Sequence, residues 1–275
     1  MAEQRQLNMS ISIITINRNN ASGLKATIDS VLTQTSQDFE YIIVDGASAD
    51  KSVEIVKAAT ENHEIKWISE PDSGIYNAMN KGVRMATGDY VIFLNSGDTF
   101  ANEKVLEEIQ PLLDGSEFVI GRVNVTKNGK IVQTSKNLGN QDLSLYNLYL
   151  YGIPHQAAFI KKELLERTPY DESLKINADW KSFVQEIVLR NASVRLTPLI
   201  ISNYDGEGYS STHMKDLLIE RRKVFEVILP ERIASDYLQI FPHYYEVERV
   251  KWLLEHPIFY KLYRATATLG MKFCK

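Results

Sequence analysis

The sequence is short of several things that would mark a functional class. Its 275 residues include a single cysteine, Cys274, so an internal disulfide and a cysteine-rich zinc site are both excluded, as fits a reducing compartment. No run of about 20 apolar residues is available to cross a bilayer. The N-terminal MAEQRQLN is polar and too short for an apolar signal segment, so a cytoplasmic protein is expected. Basic charge is not in excess: 31 Lys and Arg against 35 Asp and Glu leave a formal net charge of -4, with no electrostatic footprint for nucleic acid. Two phosphate-binding signatures are also missing. After the first expected strand stands Asn17-Arg-Asn-Asn-Ala-Ser-Gly23 instead of G-x-G-x-x-G, and no G-x-x-x-x-G-K-[ST] occurs anywhere.

What is present is enough apolar sequence for a sizeable core, at 44% hydrophobic, 10% aromatic and 24% charged residues. One large α/β domain with a smaller tail is expected. SISIITI (10–16) reads as a strand buried on both faces, followed by a helix whose stripe is Leu24, Ile28, Val31 and Leu32. A second strand, 39–44, leads to Asp45-Gly-Ala-Ser48, and Asp50 is placed to cap the next helix. A third strand, 65–69, precedes a helix with Ile75, Ala78, Met79, Gly82, Val83 and Ala86 on one face, which Gly88 is expected to stop as a C′ residue. The fourth strand, Tyr90 to Leu94, gives way abruptly to Asn95, Ser96, Gly97 and Asp98. This rhythm predicts βαβ units and a parallel, Rossmann-like sheet with helices on both faces.

The alternation then breaks. Residues 117–126 and 130–134 flank Asn128-Gly129 and predict an antiparallel hairpin. A helix is expected over 178–189, a strand over 193–201, and helices after the Tyr204-Asp-Gly-Glu-Gly-Tyr-Ser210 loop. In an open parallel sheet, ligands bind beyond the carboxyl ends of the strands. The polar breaks at Asn17, Asp45, Asp72 and Asp98 all follow strands, so they predict one site along one edge. Carboxylates there hold phosphates only through a cation, which points to a divalent metal.

In order and spacing, SIITINRN, IIVDGASAD and EPDSGIYNAMNKGVRMATGDYVIFLNSGD resemble the nucleotide loop, the V-D-D-G-S-x-D segment and the approach to the metal motif of glycosyltransferase family 2, which has the GT-A fold. The resemblance covers residues 9 to 210 and is nearest to a branch with colanic-acid-type exopolysaccharide transferases. It implies a GT-A domain over 1–212, with a nucleotide-sugar half at about 9–100 and an acceptor half at about 101–212, and a helical extension over 213–275. It also implies a nucleotide-diphosphate sugar donor, UDP- or GDP-linked, with Thr15, Asn17 and Asp45 near the base and ribose. Asp45 otherwise only stabilises its turn, and Asp72 is either a turn residue or part of the donor pocket. NSGD resembles the D-x-D motif that holds Mn²⁺ or Mg²⁺ on the donor phosphates, which assigns Asp98 to the metal and Asn95 to the ribose. It departs from that motif, because Asn95 and Gly97 stand where the two aspartates usually are. The bland reading of NSGD is a polar turn.

NADWKSFVQEIVLR resembles the segment that carries the family's base, which makes Asp179 the candidate; otherwise Asp179 serves the helix dipole. His155, in GIPHQAAFI, contacts the acceptor or the donor phosphates, or is structural. The resemblance implies inversion and a saccharide or lipid-linked acceptor in surface polysaccharide assembly. The aromatic and basic tail from Tyr244 suits either an anionic membrane surface, peripheral on the inner face, or packing on the domain or in a homodimer. The rival function is a catalytically silent GT-A-like domain that binds nucleotide sugar or a partner. A nicotinamide-dependent oxidoreductase is disfavoured by the missing glycine-rich turn.

Overall fold

A computed structural model of the chain describes residues 9–273 except 207 and 209–211. The polar N-terminal octapeptide, Cys274 and part of the expected loop at 204–210 lie outside the described residues. The chain divides into two compact units, 1–224 and 225–275.

The first unit is built on strand β1 (Ile11–Asn17), buried along its whole length. Its β-branched run is flanked in parallel by β2 (Glu40–Asp45) and β4 (Tyr90–Phe93), with β3 (Ile65–Ser69) outside β2. Successive side chains of a strand point to opposite faces. Ile11 and Ile13 accordingly share a core with Leu24, Ile28 and Val31 of helix α1 (Ala21–Leu32), beside α2 (Ser52–Thr60). Ile14 faces the other way, onto Gly82 of α3 (Ile75–Met85). Helices thus cover both faces, as the βαβ rhythm predicts.

Beyond β4 the sheet turns antiparallel through β8 (Ala158–Lys161) and continues to β6 (Phe118–Lys127), β9 (Val194–Asp205) and the two-residue β5 (Thr99–Phe100). The order is β3-β2-β1-β4-β8-β6-β9-β5, with β7 (Lys130–Thr134) paired to β6 across the Asn128-Gly129 turn. The expected hairpin is therefore present. Short helices α4 (Val105–Ile109), α5 (Leu145–Tyr151), α6 (Lys162–Arg167) and α7 (Ala178–Phe183) complete this unit, and α8 (Met214–Ile228) leads out of it. The second unit contains α9 (Glu231–Ile240), α10 (Tyr244–Glu255) and α11 (Pro257–Phe273). Phe225, Tyr237 and Phe241 form a ring cluster there, with centroids 5.6 to 5.9 Å apart. Among the described residues no helix is long and apolar enough to cross a membrane.

Four local expectations are corrected. The helix expected over 178–189 becomes a π-helix at Val184–Leu189, where the buried Glu186 carboxylate pairs with Arg167 and Arg190. Strand β9 runs on to Asp205, so it absorbs the start of the expected loop. Asp50 is not the cap residue of α2, which is Lys51; its carboxylate instead accepts the N–H of Ser52 at 3.0 Å and that of Ala21 at 2.9 Å, tying two helix starts together. Gly88 is not a left-handed C′ residue, since α3 closes on Ala86 in an extended conformation. Glycine is needed there for space: a Cβ at 88 would lie 2.8 Å from the Ser12 backbone nitrogen and 2.9 Å from the Ile11 carbonyl carbon. Backbone cannot yield as a side chain does. Gly88→Ala is therefore expected to lower the unfolding free energy by about 1–3 kcal/mol, read as a lower urea midpoint at constant m; an unchanged midpoint would count against this account.

Candidate active site

Three strand ends meet in register, Asn17 beside Asp45 and Asp45 beside Ser69. Asp45 is sealed, with 0% exposure. One carboxylate oxygen accepts from Asn17 Nδ2 at 2.8 Å and from the Ser48 hydroxyl, and the other from Ser48 N at 2.9 Å and Ser69 Oγ at 2.6 Å. Burial pushes its pKa up, but these donors outweigh it and hold the carboxyl below its usual value. Thr15 is equally buried, 3.0 Å from the Tyr41 hydroxyl. Asp72 lies over Gly46, where a Cβ would come within 2.2 Å of its Oδ2. Thr15, Asn17, Asp45 and Asp72 thus gather at the ends of β1–β3, and none of them lines the cleft that holds Asp98.

That cleft, of about 620 Å³, brings together Asn95, Asp98, His155 and Asp179. Its floor is the NSGD turn. The Asp98 N–H closes it on the Asn95 carbonyl at 2.8 Å, and Gly97 occupies its third position with φ +108, a conformation that glycine alone takes up without strain. Helix α1 fixes the turn from below: Thr27 Oγ1 donates to the Asp98 carbonyl at 2.7 Å and accepts the Gly97 N–H at 3.0 Å. Asn20, the N-cap of α1, donates to the Ser96 carbonyl at 3.0 Å. So the polar cluster after β4 is a shaped turn held by a helix start.

The Asp98 carboxyl projects into a nearly closed environment, 4% exposed, where it accepts the Asp205 N–H at 3.1 Å. Burial pushes its pKa up to about 6; the Asp205 carboxylate adds to this, against the opposing pull of His155, the Asp205 N–H and Gln156. Asp205 stands close by, since a Cβ on Gly97 would be 3.7 Å from its Oδ2. Two neighbouring carboxylates offer hard oxygen ligands, the donor type that Mg²⁺ and Mn²⁺ take. Among the described residues no group of three His, Cys, Asp or Glu side chains is placed to hold a metal ion. The arrangement fits a cation held by one or two carboxylates, with ligand oxygens and water completing its shell.

Across the cleft, Asp179 opens α7. Its Oδ1 accepts the Trp180 N–H at 2.8 Å and lies 3.0 Å from the Tyr76 hydroxyl of α3; its Oδ2 is 2.8 Å from His155 Nδ1. The pair is largely enclosed, at 16% and 14% side-chain exposure. Burial works against both charges. It is overcome in both: His155 and the two other donors hold Asp179 below the usual carboxylate range, while Asp179 and then Asp98 raise His155. An ion pair results. The second ring nitrogen, Nε2, is 3.2 Å from Asn95 Nδ2, and Asn95 Oδ1 is buried without a partner among the described residues. An imidazolium donates from both nitrogens. With the Asn95 amide turned over, Nε2–H reaches Oδ1 and the contact becomes a hydrogen bond from the imidazolium to the turn.

Sequence reasoning missed Asp205, Tyr76, Trp180 and Arg221, all of which line this cleft. Asp205 stood inside the expected loop, and the other three carry no local signal beyond a place on a helix.

Residues 10–166 match the family model for glycosyl transferase family 2. The chain belongs to that family. It is a glycosyltransferase. A "PGL/p-HBAD biosynthesis glycosyltransferase" of Mycobacterium bovis is 29% identical over 240 residues, which span 84% of this chain and 90% of that one. An uncharacterized glycosyltransferase of Mycobacterium tuberculosis is 34% identical over 189 residues, 67% of this chain and 69% of the other. Among solved structures, S. aureus TarS 1-349 in complex with UDP-GlcNAc aligns with a TM-score of 0.61 at 19% identity, over 84% of this chain and 70% of that one. A mannosyltransferase from Pyrobaculum calidifontis, in complex with GDP-Man and Mn2+, gives 0.60 at 18% identity, over 95% and 80%. These establish the GT-A type of fold for this family 2 chain.

The raised Asp98 pKa has a consequence for stability. In the folded protein Asp98 keeps its proton to about pH 6, against about pH 4 when unfolded. The folded state then binds more protons in that window, so this contribution falls as pH rises through it. Asp98→Asn is expected to stabilise the protein by about 1–3 kcal/mol at pH 8 and by nothing below about pH 4. Denaturant titrations at both pH values read the difference; parallel pH profiles would refute it.

Proposed function

We propose that the chain transfers a sugar from a UDP- or GDP-linked nucleotide-diphosphate sugar to a saccharide or lipid-linked acceptor, with inversion at the anomeric carbon. The observation that carries this reading is the line Asp179–His155–Asn95, which couples a buried carboxylate to the turn that presents Asp98. The complexes of TarS with UDP-GlcNAc and of the Pyrobaculum mannosyltransferase with GDP-Man and Mn2+ support the donor class. The division proposed is 1–212 for transfer, with donor contacts in about 9–100 and acceptor contacts in about 101–212, and 213–275 as an extension whose first helix reaches the cleft through Arg221.

In this reading Asp179 is the general base. It is ionised, and Oδ2 keeps one lone pair after His155 is served, which suits it to take the proton of an acceptor hydroxyl as that oxygen attacks. Tyr76, Trp180 N–H and His155 fix its orientation. Inversion follows from direct displacement by one acceptor oxygen. Asp98, with Asp205 beside it, would hold Mn²⁺ or Mg²⁺, which supplies charge stabilisation to the departing diphosphate. His155 and the Asn95 amide lie where donor oxygens would approach. Thr15, Asn17, Asp45 and Asp72 are assigned to the base and ribose side of the donor, where the buried Thr15, Asn17 and Asp45 would act by holding the strand ends in place.

The pathway proposed is surface polysaccharide assembly, on the resemblance to colanic-acid-type transferases; the Mycobacterium bovis relative, described as a PGL/p-HBAD biosynthesis glycosyltransferase, supports a glycoconjugate product more broadly.

The decisive test is binding and hydrolysis of UDP- and GDP-sugars with Mn²⁺, Mg²⁺ or EDTA. One donor is expected to turn over only with metal. Asp98→Ala should lose donor binding, and Asp179→Ala should bind the donor normally but transfer about 10²–10⁴-fold more slowly. If no donor binds with any metal, the silent-domain reading replaces this one.

A peripheral membrane role is proposed for the tail. In α11, Ile258, Phe259, Leu262 and Tyr263 are 74%, 52%, 62% and 46% exposed, and its sequence carries Lys261, Arg264 and Lys272 but no acidic residue. Co-sedimentation with anionic liposomes, and not with neutral ones, is expected at low salt; a chain that stays in the supernatant, or that forms a concentration-dependent dimer instead, would overturn it.

A further inference from the structure

Arg221 of α8 lines the cleft on the Asp179 side of His155 and is only 7% exposed. Its neighbour in sequence fixes the setting: the Glu220 carboxylate accepts the backbone N–H groups of Lys175, Ile176 and Asn177 at 2.7 to 2.9 Å, pinning the segment that enters α7. The guanidinium is then held on three sides. Nε donates to Asn177 Oδ1 at 3.1 Å, Nη1 donates to the Tyr149 carbonyl at 2.7 Å, and the plane lies 5.0 Å from the Trp180 ring centre. Trp180 is itself anchored, its indole N–H donating to the Leu148 carbonyl at 2.7 Å.

Nη2 has no hydrogen-bond partner among the described residues, and Arg221 forms no ion pair there. It points toward Gly152, another cleft residue, at which a Cβ would be 3.6 Å from it. Buried arginines are normally paired, because a desolvated charge without a counterion is unfavourable. Burial here pushes the Arg221 pKa down to about 10, with Asp179 as the main opposing influence. The charge therefore persists at neutral pH, and Asp179 is already committed to His155. A guanidinium fixed by two neutral oxygens and an aromatic plane, with one nitrogen turned to a cleft, is a pre-organised receptor for an oxyanion.

We propose that the acceptor carries an anionic oxygen group, a phosphate or a carboxylate, which Arg221 binds through Nη2 beside the general base. This rests on the glycosyl-transfer reading and adds the acceptor's chemistry to it. Such an anchor would hold the acceptor while its hydroxyl meets Asp179.

The test is calorimetric titration of the full chain, saturated with UDP or GDP and Mn²⁺, with phenyl phosphate, dodecyl phosphate, methyl glucuronide and the neutral methyl glucoside. At least one anion is expected to bind, and Arg221→Gln to weaken it tenfold or more while nucleotide affinity holds, which also reports that the variant is folded. Arg221→Lys, which keeps the charge but not the fork, should weaken it less. Binding of both phosphates identifies the headgroup, binding of dodecyl phosphate alone a lipid-linked acceptor, and binding of the glucuronide alone an acidic saccharide. The proposal is overturned if no anion binds, if methyl glucoside binds equally well, or if Arg221→Gln changes nucleotide affinity and leaves anion affinity intact. Failure of UDP and GDP to bind would sink the donor reading separately, because the same titrations run on the nucleotide-free protein.

Discussion

The site depends on one enclosed ion pair, Asp179 with His155. Each charge would be unfavourable in this environment alone, and each is retained because the other lies 2.8 Å away. The pair also sets geometry across long stretches of chain. Through Tyr76 it reaches helix α3, through Trp180 the start of α7, and through His155 Nε2 the turn after β4. Residues 76, 95, 155 and 179 are thereby held by one hydrogen-bonded line. Loss of either charge would leave the other buried and unpaired, which is a stronger constraint than any single contact in the surrounding core.

The same logic separates scaffold from candidate machinery among the strand-end carboxylates. Asp45 and Asp98 both follow buried parallel strands and both are desolvated. Asp45 meets four donors from Asn17, Ser48 and Ser69 and ends below its usual pKa; Asp98 meets fewer and faces a second carboxylate, and ends near 6. Environments that push like groups apart are the mark of assigned roles. One aspartate is satisfied by the protein. The other is satisfied less fully, by the Asp205 N–H and Gln156.

How much of this the sequence foretold follows from the range of the forces involved. Strands β1, β2 and β4 were legible because strands buried on both faces read as continuous β-branched or aromatic runs, and the hairpin because Asn128-Gly129 supplies the backbone its turn needs. Family spacing picked out Asp98, His155 and Asp179, which the fold brings to one cleft. Local sequence does not encode long-range partners, so the two residues of β5, drawn into the sheet only by pairing with β9, left no periodicity to read. Gly88 was assigned to a cap on proximity to a helix end, whereas what requires it is backbone 76 residues away, where Ser12 receives its N–H. Arg221 looked like one more charge on a polar helix, and only the folded chain puts Asn177, Tyr149 and Trp180 around it.

The departure of NSGD from the usual D-x-D pattern has a physical reading in these terms. Position 97 sits at φ +108, so an aspartate there would be strained, and the turn that glycine permits closes instead on Asp98. A carboxylate missing from the turn is matched by Asp205, which arrives at the end of β9 and donates its backbone N–H to Asp98 while its side chain stands beside Gly97. Asn95, neutral where a charge is usual, is the residue that His155 contacts. A carboxylate at 95 would have drawn the imidazolium away from Asp179 and left that carboxylate with a weaker partner. Charge has thus moved from the turn to the strand opposite and to the histidine between them, and the cleft keeps two carboxylates at one end and an ion-paired one at the other.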